Sequence, residues 1–184
     1  MANKVKYGLK NVYYATVTVG TNSVSYGTPT KWPGAVSLAL SAEGNVDPFY
    51  ADNVEYFTAI GNNGYSGDFE SALIPETFRT DIMGEVAATG AKAGMIYEDA
   101  SVQPKAFALM FQFEGDENAI RHVLYNCKMT RPDIEGSTTE DGIEVKTETG
   151  EIKATPRAFD NIVKARCANT ASTAYTNWFT AVQD

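Results

Sequence analysis

The chain has 184 residues, of which 43% are hydrophobic and 21% are charged, a composition typical of a folded domain and not of a disordered tail. Its formal net charge of −8 argues against a basic groove that follows a nucleic-acid backbone. No apolar run is long enough for a signal peptide or a membrane-spanning helix, so we expect synthesis and folding in the cytoplasm and no membrane partner.

Hairpin-connected strands are predicted for the first third of the chain. Aromatic and β-branched residues alternate there with small or polar ones, and clusters of Gly, Asn and Asp separate the runs. Trp32 lies in an irregular link between two strands, where it is either a core residue or a contact for a neighbouring molecule. The predicted strands are 12–19, 24–26, 35–43 and 54–60.

A turn-rich segment between the last two of these strands carries two adjacent aromatic residues. Residues 44–53 are rich in Asn, Asp and Pro and contain Phe49 and Tyr50. In an oligomer such a segment would be a hairpin arm, because exposed rings at its tip are a liability only for a monomer. The residues alone favour the alternative, in which both rings fold back onto the core of their own chain.

The next segment combines a turn, a strand and a short helix. A Gly-Asn-Asn-Gly turn precedes a strand over 65–72, which has one half-apolar face and one acidic face. Pro75 fits the first turn of a helix, and Gly84 fits its left-handed C-terminal cap. Phe78 and Ile82, four residues apart, form the apolar stripe of this helix.

The second half of the chain predicts further strands and a short terminal helix. The strand at 107–113 alternates most clearly, and four residues of its return strand, from Val123 to Met129, are placed on one face. A tight turn is placed at Gly150-Glu151. The predicted elements are strands 107–113, 119–130, 143–149, 152–157 and 159–167 and an amphipathic helix over 174–182.

These elements predict a mainly β protein. Many short strands at hairpin spacing with one clear helix favour a β-sandwich or partly closed barrel of two packed antiparallel sheets, with one flanking short α-helix. No internal repeat or linker divides the chain, so residues 1–184 are expected to form a single domain.

Few residues could support catalysis or bind a metal. His122 is the only histidine and has no nameable partner, so a structural role is favoured. Asp68 and Glu70 point the same way from one strand, whereas the two carboxylates of a glycosidase flank a bond. Cys127 and Cys167 lack metal-ligand spacing and are expected to be reduced thiols. We therefore expect no enzyme activity, no metal and no cofactor.

Two classes of function stay open on these grounds. One is a structural subunit that builds a polymer. The other is a monomeric carbohydrate-binding β-sandwich module, in which Trp32, Tyr50, Tyr56 or Trp178 would stack on sugars. The aromatic residues are spread along strands and loops, without a cluster that the sequence places at one site.

Four segments of the chain carry a family resemblance. They are 33–44 (PGAVSLALSAEG), 49–57 (FYADNVEYF), 62–85 (NNGYSGDFESALIPETFRTDIMGE) and 107–127 (FALMFQFEGDENAIRHVLYNC). In this order and at this spacing they resemble the major tail tube protein of long-tailed (siphovirus-type) phages and prophages of Gram-positive bacteria. The resemblance covers nearly the whole chain.

The resemblance implies a tail-tube fold, hexameric rings, and a hollow tube of stacked rings that conducts viral DNA. The expected partners are further copies of the chain, a tape measure protein inside the tube, and tail terminator and distal tail proteins at its ends. DNA would pass through without specific binding. The protein would lie in the virion tail after synthesis in the host bacterial cytoplasm. The tube subunit of a phage-derived bacteriocin or secretion system is a related alternative.

The resemblance also assigns residues to the surfaces of such a tube. Strands 36–43, 54–60 and 65–72 would line the lumen, with small, polar and acidic side chains that repel phosphates and offer no lysine. A hairpin arm at about 43–55 would reach the next ring. The lumen-facing candidates are Ser37, Ala39, Ser41, Asp68 and Glu70. The arm candidates are Asp47, Phe49, Tyr50 and Asp52. Other candidate subunit contacts are Trp32, Trp178 and Phe179.

Overall fold

The structure is a computed structural model that describes residues 5–21, 23–116, 118–138 and 145–184. It confirms a mainly β protein in which the described strands pair antiparallel. The strands are β1 Leu9–Val19, β2 Val24–Tyr26, β3 Thr30–Lys31, β4 Ala35–Glu43, β5 Val46–Ala51, β6 Val54–Ile60, β7 Gly64–Ser71, β8 Val86–Ala87, β9 Ile96–Tyr97, β10 Phe107–Phe113, β11 Arg121–Met129, β12 Glu148–Ala154 and β13 Lys164–Cys167. The helical segments are α1 Glu76–Phe78, a π-helical turn Arg79–Met83, a 3-10 turn Gly90–Lys92 and α2 Thr173–Thr176.

One large sheet contains nine of the described strands. Its order is β2-β1-β10-β11-β12-β7-β4, and β3 and β13 pair in addition with β1 and β11. The β5–β6 and β8–β9 pairs form two separate two-stranded sheets. A closed barrel is not found, because among the described strands β4 hydrogen-bonds to β7 alone and leaves its other edge without a strand partner.

Apolar side chains pack on both faces of the large sheet. On β10, Phe107, Leu109 and Phe111 belong to a first core cluster, whereas Ala108 and Met110 belong to a second one. The helical turn after β7 covers the first cluster and the C-terminal segment covers the second. β10 is therefore buried on both sides, which explains its nearly unbroken apolar sequence.

Aromatic rings fill the centre of the first cluster. Phe78 stands edge-on to Tyr14 and to Phe107, with ring centroids 5.0 Å apart in each pair. Trp32 lies 4.5 Å from Phe78 and 4.9 Å from Phe69, again centroid to centroid. Edge-to-face pairs of this kind each contribute about 0.5–1.5 kcal/mol beyond the area that they bury. The segment from β7 through the helical turn therefore anchors this core.

The predicted helix is present, but most of it has π-helical pairing. Pro75 occupies the N-cap position and does not lie inside the first turn, while Gly84 ends the segment in the left-handed conformation at φ 80°. Phe78 and Ile82 are fully buried, which confirms the predicted apolar stripe.

An ion pair lies beside the start of the helical segment, which has no side-chain cap among the described residues. The Ile74 amide donates to one carboxylate oxygen of Glu148 at 2.5 Å, and Arg79 donates to the other oxygen at 2.7 Å. Arg79 also pairs with Glu85 at 3.3 Å. Because Glu148 begins β12, these contacts tie the helical turn to the large sheet.

Two strands carry irregularities that the sequence did not reveal. On β11, Val123 and Tyr125 face the second cluster, whereas Cys127 and Met129 face the first. A register shift between the two halves of the β10–β11 pairing places an extra residue in β11. The prediction that these four residues share a face was wrong, because a β-bulge resets the alternation of side chains.

β12 runs straight through the position of the predicted turn. Gly150 pairs with Phe69, and Glu151 pairs with Asp68, in one continuous ladder with β7. A Cβ atom on Gly150 would lie 2.2 Å from the Met129 methyl carbon, so the end of the Met129 side chain would have to move if this glycine were replaced. The turn prediction was wrong. Ile143 and Glu144, the first residues of the predicted strand 143–149, lie outside the described residues, as does Glu117 within the segment 107–127.

The importance of the aromatic centre can be tested by a stability measurement. We expect Phe78→Ala to lower the free energy of unfolding by about 3–5 kcal/mol, because it removes a fully buried ring with aromatic neighbours on three sides. Urea denaturation of the isolated chain measures this change. Leu73→Ala is the control, since this exposed side chain should change stability by less than about 0.5 kcal/mol. Equal effects of the two substitutions would contradict the assignment of the core.

Candidate interaction surfaces

The predicted lumen residues lie together on one outward face of β4 and β7. Ser37 is opposite Glu70, Ala39 is opposite Asp68, and Ser41 follows along the same row. Side chains alternate along a strand, so the residues between these point to the core. The inward neighbours, which belong to or pack against the first cluster, are Leu38, Leu40 and Phe69.

β12 extends this face, which the sequence prediction missed. Glu151 lies opposite Asp68, and Lys153 lies opposite Ser66, because β12 pairs with the other edge of β7. The signal was available in the alternation over 149–154, which the predicted turn interrupted. We call the combined surface the polar face. It comprises Ser37, Ala39, Ser41, Glu43, Ser66, Asp68, Glu70, Thr149, Glu151 and Lys153.

Hydrogen bonds hold one of the carboxylates of the polar face. Glu70 accepts from the Ser37 hydroxyl at 3.0 Å through one oxygen, and from the Thr147 hydroxyl at 2.7 Å through the other. These bonds link β4, β7 and the segment before β12. The face carries four carboxylates and one ammonium group, so its charge is negative; these groups belong to Glu43, Asp68, Glu70, Glu151 and Lys153.

A lysine lies on the polar face, contrary to the prediction of a surface without one. Lys153 pairs with Glu43 at 3.2 Å, and Glu43 also accepts from the Ser66 hydroxyl at 2.6 Å. The Ser66 hydroxyl, followed by Lys153, holds the pKa of Glu43 below its ordinary value. Lys128 on β11 lies opposite Lys153, so the acidic part of the polar face ends on the side of β11.

β5 and β6 form a hairpin that is separate from the large sheet. Among the described strands they pair only with each other, so 54–60 does not extend the sheet of β4 and β7 within the chain, and its place at the lumen stays a prediction. Asp52 and Asn53 form its tip at φ 53° and 63°, as a two-residue turn between twisted strands requires. The predicted arm of about 43–55 is part of this hairpin. An isolated two-stranded hairpin is marginally stable in water.

Four aromatic side chains of the hairpin are exposed. Phe49 is 60% exposed and lies opposite exposed Phe57, while Tyr50 is 62% exposed and Tyr56 is 74% exposed. The structure therefore does not fold Phe49 and Tyr50 back onto the core of their own chain. Exposed apolar surface on an element without a core is typical of interaction sites, which makes the hairpin a candidate interaction surface.

Both tryptophans are core residues of their own chain. Trp32 is 2% exposed and donates its indole N–H to the Ser71 hydroxyl at 2.9 Å. Trp178 is 3% exposed in the second cluster, and Phe179 stacks on Tyr13 at 4.8 Å between ring centroids. The C-terminal segment thus docks on its own sheet, with α2 shorter than the helix predicted over 174–182.

The only histidine of the sequence and the two cysteines pack within the fold and do not form a cluster of reactive groups among the described residues. His122 stacks on Phe111 at 5.2 Å between ring centroids, and partial burial, followed by Lys6, lowers its pKa. Cys127 and Cys167 are free thiols, and burial raises the pKa of Cys127. Within the described residues, no three His, Cys, Asp or Glu side chains cluster as metal ligands, and no helix has the length and hydrophobicity to cross a membrane.

Neither a scan against protein-family models nor a search of curated proteins returns a match to this chain. Two surfaces of the described residues are candidates for interaction, namely the polar face and the β5–β6 hairpin.

Proposed function

We propose that this chain is the structural subunit of a phage tail tube, in which hexameric rings stack into a hollow tube that conducts viral DNA. The observation that carries the proposal is the β5–β6 hairpin, which exposes four aromatic rings and contributes no residue to either core cluster. Such an element gains stability when another molecule covers it. The resemblance to tail tube proteins implies that the molecule covering the hairpin is another copy of the chain.

The polar face supports an assignment to the lumen of the tube. Its negative charge would repel the phosphates of passing DNA, and the one lysine on it is already paired with Glu43. A surface that binds DNA weakly suits a conduit, since each firm phosphate contact would slow ejection. In this proposal the tape measure protein fills the same lumen before ejection.

The free edge of β4 supports closure of a ring. Among the described strands β4 is the last of the large sheet, and its outer edge carries unpaired backbone groups. Exposed edges invite pairing with another chain unless they are covered. A neighbouring subunit at this edge would join the polar faces of adjacent subunits into one wall. The tail-tube fold and a position in the virion tail, with terminator and distal proteins at the ends, belong to the same proposal.

The structure favours this reading over a carbohydrate-binding module. Of the four aromatic residues that could stack on sugars, Trp32 and Trp178 are buried in the core. Tyr50 and Tyr56 are exposed, but they lie on a hairpin without a supporting sheet. Sugar sites need rigid platforms, and these rings have none in the isolated chain.

Sedimentation velocity over a range of protein concentrations tests the proposal. We expect the mass to rise from monomer to hexamer and then to larger particles as concentration increases. A glycan array run in parallel is expected to show no binding. A monomer at all concentrations that binds a glycan would contradict the proposal and support the carbohydrate-binding module.

A further inference from the structure

We propose that the β5–β6 hairpin of one subunit inserts its aromatic side chains into a specific groove on a second copy. The groove lies between β4, the end of β10 and the first half of β11, and Lys6 and Lys164 stand at its rim. This inference rests on the proposed function, because it takes another subunit as the occupant. It identifies the acceptor surface.

The walls of the groove are apolar and incompletely covered. Leu38 and Leu40 of β4 are half-buried there, on the side of the strand opposite the polar face. Phe113 forms the other wall and meets the ring of His122 edge-on at 5.7 Å between centroids. Covering these side chains would remove apolar surface from water, which favours binding.

The size of the groove favours side chains over a small-molecule ligand. Its volume is about 230 Å³. Sites for drug-sized ligands usually have about 300–1,000 Å³ and enclose most of the ligand. A smaller apolar groove suits one or two aromatic side chains presented by a protein.

Two lysines give the rim of the groove a positive charge. The Lys6 ammonium lies 4.9 Å from the centroid of the Phe113 ring, and the Lys164 ammonium lies 4.3 Å from that of Tyr65, whose hydroxyl it also contacts. Among the ion pairs of the described residues, neither lysine is joined to a carboxylate. Both ammonium groups therefore contribute to the positive charge of the rim.

The hairpin has the complementary charge and shape. Residues 45–61 contain Asp47, Asp52 and Glu55 but no Lys, Arg or His. Phe49 and Phe57 lie opposite each other between these acids. No residue of the hairpin lines the groove in its own chain. The acidic residues of the hairpin match the basic rim of the groove, and its aromatic rings match the apolar walls. This complementarity points to contact between two copies.

The contact joins two different surfaces, so it is a head-to-tail interface and not a two-fold symmetric one. A head-to-tail interface of this kind adds subunits in one direction and produces an open polymer unless a rotation closes it. Stacked rings need such a contact along the tube axis. The groove and the hairpin would thus act between rings, while the edge of β4 acts within a ring.

Charge exchange provides the first test on the full chain. We expect the groove variant Lys6→Glu/Lys164→Glu and the hairpin variant Asp47→Lys/Glu55→Lys each to weaken self-association at least tenfold, measured by sedimentation. The chain that carries all four substitutions should recover most of the loss, because the charges again have opposite signs. If the groove variant associates as strongly as wild type, the inference is wrong. It is also wrong if the chain with all four substitutions associates no more strongly than the weaker of the two double variants.

A matched control separates local from general charge effects. Lys92→Glu/Lys105→Glu makes the same change in net charge at residues that do not line the groove. We expect it to associate like wild type. Urea midpoints of all variants should stay close to that of wild type, since the substituted side chains are exposed.

Photo-crosslinking provides a second test that separates this inference from the proposed function. A benzophenone amino acid at position 57 of the full chain is expected to link to peptides that contain Leu38, Leu40 or Phe113 of another copy. If particles still assemble but the links lead to a different surface, the groove is not the acceptor of the hairpin, while the proposed tube subunit is not contradicted. A chain that forms no particles at any concentration would contradict both.

Discussion

Replacing Phe49 and Tyr50 with alanine is expected to leave the subunit folded and to block assembly. Both side chains are more than half exposed in the isolated chain, so their loss costs the monomer little. Buried aromatic anchors of interfaces commonly contribute about 2 kcal/mol or more each. Two of them together correspond to an affinity loss on the order of a thousandfold per contact. Sedimentation and negative-stain electron microscopy measure this loss.

The control for the hairpin variant removes apolar surface elsewhere. Val19→Ala/Leu73→Ala also truncates two exposed apolar side chains, but neither belongs to the hairpin or to the polar face. We expect this variant to assemble like wild type. Tubes of normal length from the Phe49→Ala/Tyr50→Ala chain, with an unchanged urea midpoint, would contradict the role of the hairpin.

Reversing the charge of the polar face is expected to permit assembly and to hinder DNA passage. Asp68→Lys/Glu70→Lys converts two carboxylates into two ammonium groups on every subunit of the wall. Each firm phosphate contact adds affinity that falls steeply with salt concentration. We expect assembled tubes to retain DNA at low salt and release it at high salt, and a phage with this subunit to lose most of its infectivity.

Two controls bracket the charge-reversal variant. Asp68→Asn/Glu70→Gln removes the charge without reversing it, and an intermediate effect is expected. Glu76→Lys/Asp81→Lys reverses two exposed acids of the helical segment, away from the polar face, and should leave DNA passage unchanged. Full infectivity of the Asp68→Lys/Glu70→Lys phage would rule out an electrostatic lining at these positions.

The alternation of apolar residues with small or polar ones along the sequence predicted much of the large sheet. β4 matches its predicted bounds because apolar and small residues alternate over its whole length. The outward placement of Asp68 and Glu70 follows from the same rule, since Phe69 between them is fully buried. The left-handed Gly84 was also predictable, because few other residues adopt that conformation without strain.

Features that depend on distant neighbours were not predictable. Gly150 resembles a turn residue in the sequence, yet it lies within β12 and pairs with Phe69 of β7. The bulge in β11 changes which residues share a face, and nothing local to Val123 or Cys127 indicates it. β6 has the composition of a sheet strand, but its only described partner is β5. In each case tertiary contacts override the local pattern.

Electron microscopy of the purified protein across a range of concentrations tests the central claim most directly. Negative staining distinguishes hollow tubes, rings and monomers, and end views give the symmetry. We expect rings with six-fold symmetry and hollow tubes built from them. Solid fibrils, closed dimers, or a monomer that persists when preformed tube fragments are added as seeds would contradict the account.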